Sequence, residues 1–326
     1  MRRRLLLAAL AAPALGQAQN EAQDGAQDGA WPVRTLRAVV PFPPGSATDG
    51  IARFLAERLT PRLGQAVVIE NVTGGNGLIA ARQAARAVPD GHTLFFATNS
   101  THAASVHLAK EPGFDPLAGF MPVTLTSLAP LVLMVRAEFP ARDVAEFLAV
   151  ARARGGGLNY GTGNIGSLAA AQLLKSLAGI EAEQIAYRGT PAAVTDLLAG
   201  RLDFLVSDLA AAGEHIRAGS LRALGVTPAR RIPMLPEVPT LQEAGVAGYE
   251  FASWVAVFLP AGSPAAAQAR LNREIRAILE TEEGRRHSLG IGLIAETSTP
   301  EGLAAFQARE IALWGRIAEA AKLPRE

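Results

Sequence analysis

A strand, a turn rich in glycine or proline, and a helix succeed one another over residues 36–97, and the same order returns over residues 158–226. This alternation restricts the fold more than any other feature of the chain, because strands separated by helices pair in parallel through right-handed crossovers. In the first unit, residues 36–40 read as a strand and 41–46 as a loop. Ile51, Phe54, Leu55 and Leu59 then place one apolar face on a helix. Strands at 66–70 and 93–97 and a helix at 78–87 complete the unit. The second unit reads as strands at 158–161, 184–187, 203–206 and 221–226. Its helices fall at 167–178, 191–199 and 210–217. The two units share their pattern but not their sequence.

Two apolar strands lie outside the units, at residues 131–135 (LVLMV) and 254–259 (WVAVFL). Both suit a chain that leaves one α/β lobe, builds a second and returns. Helices at 265–280 and 300–321 close the chain, the last opened by Pro300 before Glu301. The expected division is residues 31–129 with 254–326 in lobe 1 and residues 130–253 in lobe 2. Such an arrangement puts a ligand cleft between the lobes, near the C-terminal ends of the strands.

The beginning of the chain, MRRRLLLAALAAPALGQAQ, has a basic start at Arg2–Arg4 and an apolar run over residues 5–15. Small residues Gly16 and Ala18 precede a cleavage point after residue 18. This is the layout of a secretory signal peptide, and the run falls short of the roughly 20 residues a bilayer span requires. Residues 19–30 repeat AQDG and read as a flexible leader. The expectation is an exported, periplasmic protein. Loss of residues 1–18 removes three arginines and no acid, so 31 basic and 30 acidic side chains become a net charge near −2. No basic surplus points to nucleic acid. The chain has no cysteine, which excludes disulfides, thiol nucleophiles and thiolate metal sites.

Chemistry-bearing residues concentrate where strands end and helices begin. In PFPPGSATD, residues 41–49, Ser46 or Thr48 can cap a helix whose first-turn amides face the cleft, a natural anion site. Asp49 suits that first turn as a dipole partner, or could orient a ligand amine or a loop amide. The glycines of NVTGGNG, residues 71–77, read as turn formers. Ser100 and Thr101 follow the third strand and can donate to a carboxylate, and His102 adjoins them. NYGTGNIGS, residues 159–167, contains Gly161-x-Gly163-x-x-Gly166, the spacing of a dinucleotide fingerprint. An acid should end the next strand to hold a ribose; Glu183 instead starts it, and Arg188 ends it. Arg188 could serve an NADP phosphate or grip a carboxylate, and Thr190 could cap the helix begun by Pro191. No G-x-S-x-G elbow and no H-E-x-x-H occurs, and the five histidines are scattered. The chain carries no recognisable catalytic constellation.

Taken in order, these motifs resemble the substrate-binding proteins of tripartite tricarboxylate transporters, the Bug family. The matching stretches are VVPFPPGSATDGIARFLAERL, VVIENVTGGNGLIAARQAARAVPDGHTL, LNYGTGNIGSLAAAQLL, AYRGTPAAVTDLLAGRLDF, HIRAGSLRALGVTPARRIPMLPEVPTLQEAG and YEFASWVAVFLPAGSPAAAQARLNREI. The resemblance covers essentially residues 31–324. It implies a two-lobed periplasmic-binding-protein fold of type II, with a parallel-strand-rich sheet in each lobe and two crossing strands. It also implies an extracytoplasmic receptor, not an enzyme, that delivers a small organic carboxylate to membrane permease subunits. No cofactor and no metal are implied, and the expected state is a monomer.

The ligand contacts that the resemblance implies are Gly45, Ser46, Ala47, Thr48 and Asp49 in the first loop, and Ser100, Thr101 and His102 after the third strand. In the second lobe they are Gly163, Asn164, Ile165, Gly166 and Ser167, then Tyr187, Arg188 and Gly189, and finally Ser207 and Asp208. Departures from the family pattern bear on ligand choice. Gly45-Ser46 stands where two glycines are usual, residues 71–75 replace an arginine-proline-glycine-alanine-glycine run, His92 replaces a tyrosine, and Ser207 stands where an aspartate is frequent. A histidine common after the second-lobe helix start is absent. The alternatives are a ligand sensor without a transporter and an NAD(P)-dependent oxidoreductase.

Overall fold

A computed structural model describes residues 31–320 together with Leu323 and Arg325. The signal-peptide and leader expectations concern residues 1–30 and lie outside the described residues. In chain order the elements begin β1 (Leu36–Val40), α1 (Ala47–Leu63), β2 (Val67–Asn71), α2 (Leu78–Ala85), β3 (Thr93–Thr98) and α3 (Ser105–Leu108). There follow β4 (Phe120–Ala129), β5 (Leu131–Arg136), α4 (Val144–Ala153), β6 (Asn159–Thr162), α5 (Ile165–Ala178), β7 (Glu183–Ala186) and α6 (Thr190–Leu198). The chain ends with β8 (Phe204–Asp208), α7 (Leu209–Arg217), β9 (Leu221–Val226), β10 (Ser253–Pro260), α8 (Ala265–Leu279), α9 (Glu282–Gly290), β11 (Ile294–Ala295) and α10 (Pro300–Ala320).

The two strand–helix units form two sheets, one per lobe. The first has the order β11-β4-β10-β3-β1-β2 and the second β7-β6-β8-β5-β9. In the first, β1 lies between β2 and β3 and is parallel to both; in the second, β6 is parallel to β7 and β8. The fold is therefore the two-lobed α/β arrangement expected from the alternation. The apolar strands β5 and β10 are each antiparallel to both neighbours. Each is inserted into one sheet, and the chain changes lobe at its edge: at Pro130 before β5 and just before Ser253 at β10. The two connections touch. Thr227 N–H donates to the Leu131 carbonyl at 2.9 Å, Leu131 N–H donates to Thr227 Oγ1 at 3.0 Å, and Phe251 N–H donates to the Thr227 carbonyl at 3.0 Å.

β4 has no counterpart in the sequence reading, for a physical reason. Its run FMPVTLTSLA carries Thr124, Thr126 and Ser127, all fully buried, among its apolar residues. Two of these hydroxyls are satisfied by backbone: Thr124 Oγ1 donates to the Ser298 carbonyl and Thr126 Oγ1 to the Val255 carbonyl, both at 2.9 Å. Pro122 pairs with Phe258 beside a register shift, where the missing amide costs no ladder bond. Burial of paired hydroxyls and a proline at a bulge together erase the strand's pattern.

The elements that position the cleft follow ordinary chain logic. β3 is buried along its whole length and β1 everywhere but at Arg37, so both read as largely apolar runs. α1 lays Ile51, Phe54, Leu55 and Leu59 into the core of the first lobe, where each is at most 4% exposed. Tyr249, in the return segment, is fully buried and its hydroxyl donates to the Ala170 carbonyl of α5 at 2.8 Å. No helix among the described residues is long and apolar enough to cross a membrane.

Candidate ligand cleft

The cleft lies where β1 and β3 of one sheet and β6 and β8 of the other deliver the chain into helices. Its inner chamber, ≈ 270 Å³, is lined from the first lobe by Phe42, Ala47, Thr48, Asn99 and Ser100 and from the second by Asn164, Ile165, Gly166 and Asp208. An outer chamber of ≈ 440 Å³ opens past Asn76, Ser100 and Ile165, which line both. On the other side a wider mouth of ≈ 830 Å³ separates the start of α1 from α7.

At the start of α1, Ser46 is the N-cap and its hydroxyl accepts the Asp49 N–H at 3.2 Å. The first intrahelical bond runs from Gly50 N–H to the Ser46 carbonyl. The amides of Ala47 and Thr48 fall before it, and both residues line the inner chamber. Asp49 is turned away from that chamber and is only 2% exposed. Its carboxylate accepts from Gly45 N–H at 2.9 Å, Arg53 Nε at 2.8 Å and Asn71 Nδ2 at 2.8 Å. Burial alone pushes this carboxyl up, but the bonds from Arg53, Gly45 and Asn71 outweigh it and hold the group below its ordinary value. Gly45, Ser46 and Asp49 border the wide mouth instead of the inner chamber. Asp49 is the fastener of the loop that presents the Ala47 and Thr48 amides.

The start of α5 is built without charge. Asn164 Oδ1 accepts the Ser167 N–H at 2.9 Å, while Ser167 Oγ accepts from Gly163 N–H at 3.1 Å and Asn164 N–H at 3.2 Å. This reciprocal capping box leaves the amides of Ile165 and Gly166 ahead of the first intrahelical bond, from Leu168 N–H to the Asn164 carbonyl. The three glycines of the fingerprint have separate jobs. A Cβ on Gly161 would stand 2.6 Å from Leu202 Cδ1, and one on Gly163 only 2.3 Å from the Thr190 nitrogen. A Cβ on Gly166 would stand 2.8 Å from Ser253 Oγ, across the cleft in the other lobe. They are small because side chains, a neighbouring turn and the opposite lobe approach them. Glu183 and Arg188 are both exposed. The dinucleotide reading therefore loses its support, each glycine being accounted for by packing.

Several expected contacts are placed elsewhere. Ser100 lines both chambers, but the chain coils through a π-helical turn at Ser100–Ala104 that carries the next residues inward. Thr101 Oγ1 closes the turn on Thr98, accepting its N–H and donating to its carbonyl, each at 3.1 Å. His102 is wholly buried among Phe95, Phe120 and Phe258, with ring centroids at 5.5, 4.5 and 4.4 Å. Burial pushes its pKa down to about 3, so it is a neutral core residue and does not reach the cleft. Tyr187 and Arg188 do not line the chambers either. The Tyr187 hydroxyl is taken by Asp196 Oδ2 at 2.8 Å, and Gly189 is pressed against Gly163. Ser207 is buried, with its hydroxyl directed to Thr190 Oγ1 at 3.4 Å. Asp208 lines the inner chamber as the N-cap of α7, accepting Ala210 N–H at 3.2 Å.

The cleft also contains residues the sequence reading did not assign. Phe42, Thr98, Asn99, Ser253 and Trp254 line the inner chamber. Thr98 Oγ1 is buried there without a hydrogen-bond partner. Trp254 Nε1–H donates to Glu310 Oε2 at 2.9 Å, and burial pushes that carboxyl up to about 7. Asn99 and Phe42 were within reach of inference, since Asn99 adjoins Ser100 and Phe42 lies in the loop PFPPGSATD that carries Gly45 to Asp49. Ser253 and Trp254 were not, because an apolar strand read alone does not say which end borders a cleft. Among the described residues, the only ionisable side chain lining the inner chamber is Asp208. An anion held there would be held by amides and helix dipoles.

The whole architecture has known counterparts. Residues 51–323 match the model of the tripartite tricarboxylate transporter family receptor. The chain is 35% identical over 291 residues to a protein of the tcbD–tcbE intergenic region of Pseudomonas sp. strain P51, covering 88% of this chain and 86% of that one. It is 32% identical over 290 residues to BugT of Bordetella pertussis, covering 88% and 89%. Among solved structures, R. palustris Rpa4515 with adipate superposes with a TM-score of 0.80 at 34% identity, covering 91% of this chain and 100% of that one. MatC of Rhodopseudomonas palustris with bound malate gives 0.74 at 32% identity, covering 88% and 99%.

Proposed function

The chain belongs to the tripartite tricarboxylate transporter receptor family, and from that premise we propose that it captures a small organic carboxylate between its lobes and delivers it to membrane permease subunits. The reading includes export to the periplasm, action as a monomer, and a division into lobe 1 (residues 31–129 and 254–326) and lobe 2 (residues 130–253). One observation carries it. The starts of α1 and α5, on opposite sheets, place Ala47, Thr48, Ile165 and Gly166 on one chamber, with their amides ahead of the first intrahelical bonds and no cationic side chain in its lining among the described residues. Amides fixed by capping need no reorganisation to receive an anion. A carboxylate that reaches both sets bridges the lobes, so binding and closure are one event. Each bond to a charged group contributes about 1.5–3 kcal/mol. A few of them, less ordering costs, suffice for micromolar affinity, about 8 kcal/mol. Adipate and malate occupy the related structures, which supports the same ligand class here.

Isothermal titration of the purified protein with succinate, adipate, malate and glucose tests the reading. Saturable micromolar binding of at least one carboxylate is expected. Binding of glucose with no response to any carboxylate would refute the anion site. Delivery is tested by carboxylate uptake in vesicles containing the permease, with and without the receptor.

A further inference from the structure

The inner chamber does not end at the amides. Asn76, Ser100 and Ile165 line both it and the outer chamber, so the two chambers adjoin at these residues. Its walls are mainly apolar: Leu78, Ala104, Leu108, Ala109 and Leu168 line it, with Gln184 as a polar edge. Gln184 is already engaged, donating to Thr162 Oγ1 at 2.9 Å. No ionisable side chain lines this chamber among the described residues. The outer chamber is the larger of the two, ≈ 440 against ≈ 270 Å³.

The loop that carries Asn76 is held in a costly shape. Residues 74–77 all have positive φ, and Asn76, at φ 53°, is the only non-glycine residue with positive φ among the described residues. A Cβ on Gly77 would lie 2.8 Å from Thr101 Cγ2 and 2.9 Å from Pro41 Cβ, so the loop is packed tightly in this conformation. Such a conformation persists only when its surroundings determine it, and here it puts Asn76 between the two chambers.

We propose that the preferred ligands are carboxylates with an extended apolar body, saturated chain or aromatic ring, whose carboxylate sits on the α1 and α5 amides and whose body passes Asn76 into the outer chamber. This inference rests on the carboxylate-receptor reading and names the substrate class for the same site. The amides supply orientation, and the outer chamber supplies affinity through removal of apolar surface from water.

The test is titration of the full mature chain with butyrate, octanoate, 3-phenylpropionate and succinate. Octanoate and 3-phenylpropionate should bind at least about tenfold tighter than butyrate, a difference of about 1.4 kcal/mol. Two variants address the chamber directly: Ala109→Trp fills it and Leu168→Asp charges it. Either should lower the octanoate-to-butyrate affinity ratio about tenfold or more; circular dichroism identifies a variant that misfolds, and the other then carries the comparison. Equal affinity for butyrate and octanoate, or a ratio unchanged in a folded variant, overturns the inference and leaves the carboxylate reading standing. Failure of all four acids to bind overturns the inference, and failure of adipate and malate as well overturns the carboxylate reading.

Discussion

The starts of α1 and α5 present the same groups to the same chamber, yet they are fastened by different chemistry. In lobe 1 the loop before α1 is tied by one buried carboxylate, Asp49, which gathers Gly45 N–H, Arg53 and Asn71. In lobe 2 the turn before α5 is tied by neutral groups, the Asn164–Ser167 box, and by the close seat of Gly163 on the Thr190 backbone. A charged fastener concentrates its effect in a single side chain and makes it depend on pH. A neutral one spreads the effect over caps and packing. One lobe's half of the cleft should therefore respond to acid and the other should not.

The strongest way to break the comparison lies in lobe 2. Gly163→Ala puts a methyl 2.3 Å from the Thr190 nitrogen, which belongs to backbone and cannot swing aside. Overpacking of this kind is expected to cost about 3 kcal/mol, read as a lower urea midpoint with unchanged slope. A midpoint equal to wild type would mean that the turn before α6 yields freely, and that the second lobe's amides are not held by packing.

Asp49→Ala should cost less, about 2 kcal/mol, carried by the Gly45 and Asn71 bonds more than by the half-exposed Arg53. Carboxylate affinity should fall with it, as the Ala47 and Thr48 amides lose their fixed loop. The pH profile distinguishes charge from shape. The folded carboxyl titrates below its unfolded value, near 3.9, so its contribution is complete above that value and disappears as pH falls through the lower, folded one. The stability difference between wild type and Asp49→Asn should thus shrink below about pH 4. A constant difference between about pH 3 and pH 7 would show that Asp49 acts through packing alone.

The two fasteners were unequally visible in the sequence. Ser46 and Asp49 stand at cap and first-turn positions after a clear strand, so their region was legible, though the three partners that tie Asp49 to the loop were not. The glycine spacing of residues 161–166 pointed to a phosphate cradle because spacing records that a Cβ is absent and not what takes its place. Leu202, Thr190 and Ser253 take it, from three separate parts of the chain. His102 misled for a related reason. A polar residue after a strand reads as a cleft residue, and only the π-helical turn reveals that it faces the aromatic core. The alternation of strand and helix survived because it is local and long. β4 did not, because its two buried threonine hydroxyls are satisfied by partners over a hundred residues away, such as Val255.

The smallest expected effect is also the cleanest contrast with Asp49. Ser167→Ala removes the oxygen that accepts from Gly163 and Asn164, while the Asn164 side chain still caps the Ser167 amide position. Half of a reciprocal box is lost, so the cost should be about 1 kcal/mol. No titratable group takes part in the box, so that cost should be the same at about pH 3.5 and at pH 7, on either side of the unfolded value below which the Asp49 contribution begins to decline. A Ser167→Ala penalty that declined in acid together with that of Asp49→Asn would mean that the two helix starts are coupled through the closed cleft. The lobes would then share one fastening network, and the division between a charged and a neutral start would describe one cooperative unit.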